Sequence, residues 1–233
     1  MSKVIIHIGP HKTGTSFIQA MMRQNVDRFP TNMLVWAKGE PIFKAMVIAL
    51  REYVSGNLDT MTLVKDIADD IACNLAHDVL LMSNEDILGG LPSRRKNESL
   101  YGETIPFLRV IQTAFRDAGH DVQFVFYVRD YNDWLKSLYR YTFINDPNRA
   151  FAPKRFKQKR NLPDDWVEVC AALTHALGED GITYVNYQTD RADGRLGTAL
   201  YKLCGMSQTQ IDALRWIEPV NVSRRETVDP ANW

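Results

Sequence analysis

Residues 4–22, VIIHIGPHKTGTSFIQAMM, place an apolar run, a glycine-containing turn and a helical pattern one after another. Residues 4–8 have the composition of a buried strand, and residues 16–24 have the spacing of a helix. Between them, Gly9 and Gly14 have the spacing of a phosphate-binding loop. Backbone N–H groups in such a loop face an anion, and the helix N-terminus adds positive potential. The stretch therefore predicts an α/β fold built around an anion-binding loop.

The lysine of this loop is displaced from its place in nucleoside triphosphatases, where it stands directly before Ser or Thr. Thr15 occupies that position here, and the lysine is Lys12, inside the loop. A 5′-phosphosulfate suits this arrangement. It offers one phosphate to the backbone and to the hydroxyls of Thr15 and Ser16, and a bridging oxygen to Lys12. Because it carries less charge than a triphosphate, no metal is expected.

Short apolar strands alternate with helical patterns along the rest of the chain. We predict strands at 78–83, 122–128 and 182–187, and helices at 41–54, 60–76, 105–118, 131–143, 164–177 and 194–204. In the second of these helices, Leu63, Ile67, Ile71 and Leu75 form the predicted buried face. The alternation predicts a three-layer α/β fold with a mostly parallel central sheet and helices on both faces. We expect a single domain over residues 1–233.

Composition narrows the classes of function. Lys+Arg and Asp+Glu number 28 each, so the chain lacks the basic excess of a general nucleic-acid binder. Neither a signal peptide nor an integral membrane segment is expected, because residues 4–8 are too short an apolar run and nothing approaches about 18 residues. Cys73, Cys170 and Cys204 lack metal-ligand spacing and predict buried free thiols. A cytoplasmic location is the expectation.

The segment PHKTGTSF, residues 10–17, resembles the 5′-phosphosulfate-binding loop of PAPS-dependent sulfotransferases, in particular the bacterial, P-loop-containing members. The resemblance implies that Lys12 contacts the bridging oxygen of 3′-phosphoadenosine 5′-phosphosulfate. It implies that Phe17 packs near the adenine. The 5′-phosphosulfate would be held by Lys12, Thr13, Gly14, Thr15 and Ser16.

A second segment, RDYNDWLKS at 129–137, resembles the 3′-phosphate motif of the same family. Arg129 follows a predicted strand directly and Ser137 lies about two turns into the next helix, so both could converge on one phosphate. Tyr187 matches a family tyrosine near the adenine, although Gln188 replaces the usual glutamate. Ser223 and Arg224 stand in a segment similar to the family's Asn-x-Ser segment near the chain's end.

Transfer to a hydroxyl acceptor needs a base within hydrogen-bond reach of the attacking oxygen. Glu85 is the first candidate, because it follows the predicted strand 78–83 at the binding edge of the sheet. The segment LLMSNE also resembles the carbohydrate-modifying branch, in which a carboxylate is the base. His11, next to Lys12, is the second candidate, and His7 has the setting of a core histidine.

Two parts of the chain are expected on the acceptor side: the helical segment 38–76 and the basic loop 145–163, which contains KRFKQKR at 154–160. A further basic cluster, RRK, stands at 94–96. These charges suggest a glycan or another anionic molecule as the hydroxyl acceptor. The resemblance implies no metal and no nucleic-acid partner.

Two other functions fit parts of the sequence. An ATP-dependent phosphotransferase would use the carboxylates of SNED, residues 83–86, to hold magnesium, but the displaced Lys12 argues against it. A non-catalytic nucleotide-binding module would keep the same donor site, so the sequence does not separate it from the enzyme.

Overall fold

The computed structural model describes residues 1–56, 59–92, 99–143 and 152–218. The predicted basic cluster 94–96 and the predicted ligand residues Ser223 and Arg224 lie outside these ranges. Within them the strands are β1 (Lys3–Gly9), β2 (Met33–Ala37), β3 (Val79–Ser83), β4 (Asp121–Val128) and β5 (Ile182–Asn186). They form one sheet in the order β2-β3-β1-β4-β5, in which every pairing is parallel.

Helices connect these strands and follow the last one. They are α1 (Thr15–Gln24), α2 (Pro41–Val54), α3 (Thr60–Cys73), α4 (Ile105–Asp117), α5 (Tyr131–Phe143), α6 (Pro153–Lys159), α7 (Val167–Leu177), α8 (Tyr187–Asp190), α9 (Thr198–Leu203) and α10 (Gln208–Asp212). Short 3-10 turns cover Glu85–Leu88, Gly102–Thr104 and Glu179–Gly181. Proline stands in the first turn of α2, α4 and α6, where its missing N–H is not needed.

The strands are buried on both faces, so two apolar cores flank the sheet. Val4 and Ile6 of β1 point into the first core with α2 to α7, and Ile5 points into the second with α1, α9 and α10. This division follows from the two-residue period of a strand. The predicted three-layer α/β fold, with a parallel sheet and helices on both faces, is confirmed.

The strand order creates a crevice at one place on the carboxyl edge of the sheet. The chain leaves β1 toward β2 on one side and leaves β4 toward β5 on the other, although β1 and β4 are neighbours. Ligands of open parallel sheets bind where such connections diverge. The predicted loop follows β1 and Arg129 follows β4, so both stand at this point.

Several elements differ from the sequence-based expectation, among them the short helices α8 and α10, which were not predicted. Strand β2 was not predicted, and it adds the edge strand beside β3. The predicted basic loop 145–163 contains helix α6, whose Phe156 is fully buried in the first core. Residues 153–159 are therefore a packed helix with its charges outward rather than an irregular loop, and residues 144–151 lie outside the described ranges.

The buried face of α3 also differs from the prediction. Leu63 is 46% exposed, and the buried side chains are Val64, Ala68, Ile71 and Ala72, with Ile67 and Leu75 packed at the margin. Helix α3 lies against both α2 and α4, and alanine on the packed face allows helices to approach closely. The cysteines carry free thiols as predicted, but only Cys204 is buried, since Cys170 is half-buried and Cys73 exposed.

Nowhere in the four described ranges is a helix both long and apolar enough to cross a bilayer. The same ranges contain no group of three or more His, Cys, Asp or Glu side chains arranged to hold a metal ion.

Candidate functional site

The loop between β1 and α1 has backbone dihedral angles that suit anion binding. Gly9, Lys12 and Gly14 have φ angles of 103°, 70° and 79°, whereas Thr13 does not have a positive φ. Alternation of this kind aims successive N–H groups at one point. The hydroxyl of Thr13 donates to the carbonyl of Pro10 at 2.6 Å and holds the turn closed.

Both loop glycines are required by close approach to other segments. A Cβ added to Gly9 would lie 3.1 Å from Cβ of Glu85. One added to Gly14 would lie 2.3 Å from a methyl carbon of Leu196 and 3.4 Å from the ring of Tyr187. The loop is therefore packed between the segment that follows β3 and the segment that follows β5.

The hydroxyl residues at the start of α1 differ in exposure. Ser16 is exposed, whereas Thr15 is only 4% exposed and its Oγ1 has no hydrogen-bond partner among the described residues. Most buried hydroxyls in folded proteins have a partner, so the Thr15 hydroxyl is able to form a hydrogen bond with a group bound at the loop. Phe17 is 5% exposed and packs in the second core, so the predicted adenine contact would require its side chain to move.

Lys12 is half-buried and extends toward α5. Its Nζ lies 4.2 Å from the ring centroid of Tyr141, a cation–π distance. Burial lowers the pKa of Lys12 below its ordinary value, and the positive charge of Arg129 lowers it further. Within the described residues, no carboxylate forms an ion pair with Lys12. An anion bound at the loop would offset both the burial of the Lys12 charge and its repulsion from Arg129.

Arg129 connects the end of β4 to the loop. Its Nη1 donates to the carbonyl of Lys12 at 3.0 Å, and its own carbonyl accepts a hydrogen bond from Trp166 Nε1 at 2.7 Å. Its Nε is buried and has no hydrogen-bond partner in the part of the chain that the structure describes. The loop and Arg129 are therefore in direct contact, and their membership of one ligand site stays a prediction.

Tyr187 stands between the loop and two arginines. Its ring centroid is 5.2 Å from Cζ of Arg129 and 5.3 Å from Cζ of Arg191. The Tyr187 hydroxyl also accepts a hydrogen bond from Arg191 Nη1 at 3.2 Å. Tyr187 is 9% exposed, so it is a packed residue at the margin of the site.

Ser137 lies half-buried on α5, one helical turn before Tyr141. Residues four apart share a helix face, so Ser137 lies on the face that meets Lys12. Among the described residues, however, no hydrogen bond joins Ser137 to Arg129. Their predicted convergence on one phosphate remains a prediction.

His11 is held by side chains from three other elements. Its carbonyl accepts a hydrogen bond from Trp134 Nε1 at 2.8 Å. Its Nδ1 lies 3.5 Å from the Tyr101 hydroxyl, and its Nε2 lies 3.6 Å from Asp86 Oδ1. His7 has a different setting: it is fully buried, its Nδ1 lies 2.9 Å from Ser83 Oγ, and burial lowers its pKa to about 4. The prediction that His7 is a core residue is confirmed.

Glu85 stands directly beyond β3 and is held by two donors. Gln19 Nε2 of α1 donates to Oε2 of Glu85 at 2.9 Å, and Lys38 Nζ lies 2.9 Å from Oε1. Gln19 also donates to the Ser83 carbonyl at 3.2 Å. The carboxylate is thereby fixed beside the start of the loop.

Lys38 follows β2 and forms ion pairs with both carboxylates, since its Nζ is also 2.8 Å from Asp86 Oδ2. Burial alone would raise the pKa of Asp86, but the contacts with His11 and Lys38 lower it to about 2. Burial alone would lower the pKa of Lys38, and its hydrogen bonds to Asp86 and Glu85 raise it instead. One ammonium group is thus shared by two carboxylates, so each carboxylate has a cationic partner although one negative charge stays in excess.

Three residues of this site were not found from the sequence: Gln19, Lys38 and Arg191. Gln19 is one turn after Thr15 on the same face of α1, a spacing that could have indicated it. Lys38 follows a strand that was not predicted. Arg191 is four residues after Tyr187, so the same spacing rule could have paired the two.

No protein-family model and no curated protein matches this chain. Among solved structures, the fold is similar to that of a tunicamycin resistance protein from Deinococcus radiodurans. The two share 13% sequence identity with a TM-score of 0.41, over 86% of this chain and 96% of that chain. A similarity at this level bears on neither the family nor the function of this chain.

Proposed function

We propose that this chain is a PAPS-dependent sulfotransferase, which moves a sulfuryl group from 3′-phosphoadenosine 5′-phosphosulfate to a hydroxyl acceptor. The observation that carries the proposal is the setting of Lys12. It lies inside an anion-binding loop, beside Arg129, without an ion-paired carboxylate among the described residues. The buried, unpartnered hydroxyl of Thr15 supports the same reading.

In the proposed reaction the acceptor oxygen attacks sulfur, and the bond from sulfur to the bridging oxygen breaks. The acceptor proton passes to a base, and the products are the sulfate ester and 3′,5′-adenosine bisphosphate. Lys12 would stabilise the charge that develops on the bridging oxygen. Donors aimed at developing charge are among the strongest contributors to catalysis.

Glu85 is the proposed base. Gln19 and Lys38 fix its orientation, and a carboxylate that accepts two hydrogen bonds still has lone pairs for an acceptor hydroxyl. His11 is the competing candidate, because its Nε2 lies 3.6 Å from Asp86 Oδ1 and makes no hydrogen bond with the described residues. The variants Glu85→Gln and His11→Asn separate them: loss of the base abolishes the rise of turnover with pH, whereas loss of the other group leaves that rise in place.

In the alternative function, an ATP-dependent phosphotransferase, the neighbouring carboxylates Glu85 and Asp86 beyond β3 would hold magnesium. Lys38 opposes it, because its ammonium group is ion-paired with both of them. A magnesium ion would have to displace Lys38 to use this pair. A non-catalytic module with the same nucleotide site stays as the third candidate.

The test is calorimetric titration of the protein with 3′,5′-adenosine bisphosphate, with 5′-AMP and with ATP–magnesium. Micromolar binding of the bisphosphate, lost in Lys12→Ala and in Arg129→Ala, is expected. Preference for ATP–magnesium would replace the sulfotransferase with the phosphotransferase. Bisphosphate binding without turnover of the phosphosulfate donor on any hydroxyl acceptor would favour the non-catalytic module.

A further inference from the structure

Arg191 brings a second guanidinium group to the ring that Arg129 contacts. Both Cζ atoms lie within 5.3 Å of the Tyr187 centroid, and Arg191 Nη1 donates to the Tyr187 hydroxyl. Each arginine thus has its position set by the same aromatic side chain. A planar guanidinium keeps several N–H donors available when one is in use.

The positive charges of these two arginines are not neutralised by the described residues. None of the ion pairs within that part of the chain includes Arg129 or Arg191. Asp190, the neighbour of Arg191, is engaged elsewhere: it accepts hydrogen bonds from Gly197 N at 2.7 Å, Ala199 N at 2.6 Å and Tyr127 Oη at 2.9 Å.

Arg195, four residues after Arg191, differs from it in having an ion-pair partner. It also lies over an aromatic ring, that of Trp216 at 5.6 Å, but it forms an ion pair with Asp212. Arg191 and Arg195 therefore have similar aromatic contacts, and within the described ranges only Arg195 forms an ion pair with a carboxylate. Because both Cζ atoms lie near one ring centroid, at 5.2 and 5.3 Å, the two guanidinium groups are at most about 10.5 Å apart. Two positive charges in this range repel each other, and an anion bound by both would remove that cost.

The location favours an anion that belongs to the same ligand as the loop anion. A Cβ on Gly14 would lie 3.4 Å from the Tyr187 ring, and Arg129 donates directly to the carbonyl of Lys12. An anion bound by the two arginines is thus next to the loop, at the carboxyl ends of β4 and β5. Bidentate arginine contacts suit phosphate in particular.

We propose that Arg191 and Arg129 together bind a phosphate monoester, with the hydroxyl of Tyr187 holding Arg191 in place. The proposal deepens the proposed function and rests on it, because the phosphate would be the 3′-phosphate of the nucleotide donor. The sequence analysis assigned the 3′-phosphate to Arg129 and Ser137. In the present proposal Arg191 contacts that phosphate together with Arg129. Tyr187 is a positioning residue in this site.

The first experiment needs no nucleotide. The unfolding midpoint of the wild-type chain is followed as millimolar sodium sulfate replaces sodium chloride at constant ionic strength, and the same titration is made on Arg191→Ala, Arg129→Ala and Arg195→Ala. Sulfate should raise the midpoint of the wild type and of Arg195→Ala more than that of the other two. General salt stabilisation is common to all four proteins. Equal responses of Arg191→Ala and Arg195→Ala would overturn the site.

The second experiment identifies the group that is bound, with 3′,5′-adenosine bisphosphate and 5′-AMP as probes. Arg191→Ala should weaken bisphosphate binding about 10–100-fold, the scale of a charged hydrogen bond, and leave 5′-AMP binding unchanged. Tyr187→Phe should give a smaller loss with the same selectivity. Equal weakening of both nucleotides would mean that Arg191 only supports the ring, and the phosphate contact would be refuted.

The two experiments separate this proposal from the proposed function. The first result would be a sulfate-dependent rise of the unfolding midpoint that is smaller in Arg191→Ala, in a wild-type chain that does not bind the bisphosphate. The anion site would then be supported, and the proposed sulfotransferase function would be refuted. If the bisphosphate binds the wild type and Arg191→Ala equally well, the sulfotransferase reading stands and the role of Arg191 fails.

Discussion

The carboxyl edge of the sheet has two sides that differ in the sign of their charges and in whether those charges form ion pairs. The cationic side consists of Lys12, Arg129 and Arg191, beyond β1, β4 and β5. The carboxylate side consists of Glu85 and Asp86 beyond β3, with Lys38 beyond β2. On the carboxylate side each charge has a partner within 2.9 Å, whereas no described carboxylate forms an ion pair with the cationic side.

This difference separates binding from positioning. Uncompensated charge in a partly buried setting costs free energy, so its retention indicates a ligand of opposite sign. A cluster in which each charge has an ion-pair partner can instead hold a side chain in one orientation. The comparison predicts that variants on the cationic side change ligand affinity and turnover, and that variants on the carboxylate side change stability and its pH dependence.

The largest effect is expected from Lys12→Ala. Removal of one donor aimed at developing charge lowers turnover about 10²–10³-fold. The measurement is the rate at which 3′-phosphoadenosine 5′-phosphosulfate releases the bisphosphate in the presence of an added alcohol. Lys202→Ala, an exposed lysine on α9, is the matched control and should keep wild-type turnover. Equal rates for both variants would remove Lys12 from the mechanism.

Gly14→Ala tests whether the cationic side depends on close packing of the loop. Gly14 and Gly119 have similar positive φ angles, 79° and 83°, but an added Cβ meets Leu196 at 2.3 Å only at Gly14. Gly119→Ala should lower the free energy of unfolding by about 1–2 kcal/mol through backbone strain alone. Gly14→Ala should lose about 1–3 kcal/mol more through overpacking. Urea denaturation measures both, and equal losses would contradict the packing argument.

His7 is a fully buried residue of strand β1, and it makes the free energy of unfolding depend on pH. Its pKa of about 4 in the folded chain is below the ordinary value of 6.5. Neutral His7 therefore contributes stability above pH 6.5, and this contribution is lost as the pH falls toward 4, by about 1–2 kcal/mol between pH 7 and 5. His7→Gln should flatten the stability profile in that window. The exposed His175→Gln should leave the profile as it is, and a profile unchanged by both variants would refute the assignment.

The smallest effect is expected from Lys38→Met, which removes the shared partner of Glu85 and Asp86. The expected loss is about 1 kcal/mol at pH 7, because Lys38 is 39% exposed and solvent screens the pair. The pKa of Asp86 is lowered to about 2, so its contribution is present above about pH 4 and lost as the pH falls to 2. The stability difference between the variant and the wild type should therefore narrow across that window. Adding Asp86→Asn to Lys38→Met should recover part of the loss at pH 7.

Much of the fold and part of the site could be predicted from the sequence. Strands β1, β3, β4 and β5 are short runs rich in apolar residues, and α1, α2, α4 and α5 have clear helical spacing, so local patterns were sufficient. Strand β2, residues 33–37, is only five residues long and carries three half-buried side chains, which weakens its signal. The buried face of α3 was predicted only in part: Ile71 is buried as expected, but Leu63 is exposed, and Val64, Ala68 and Ala72 take the packed positions.

The sequence by itself determined strands β1, β3, β4 and β5 with most of the long helices, the loop with Lys12, and the position of Arg129 at a strand end. These features depend on residues that are close together in the chain. Only the tertiary structure decided that Lys38 pairs with Glu85 and Asp86, and that Arg191 shares the Tyr187 ring with Arg129. Those contacts join separate elements, and common residue types carry no sign of their partners until parallel strands bring their carboxyl ends to one edge.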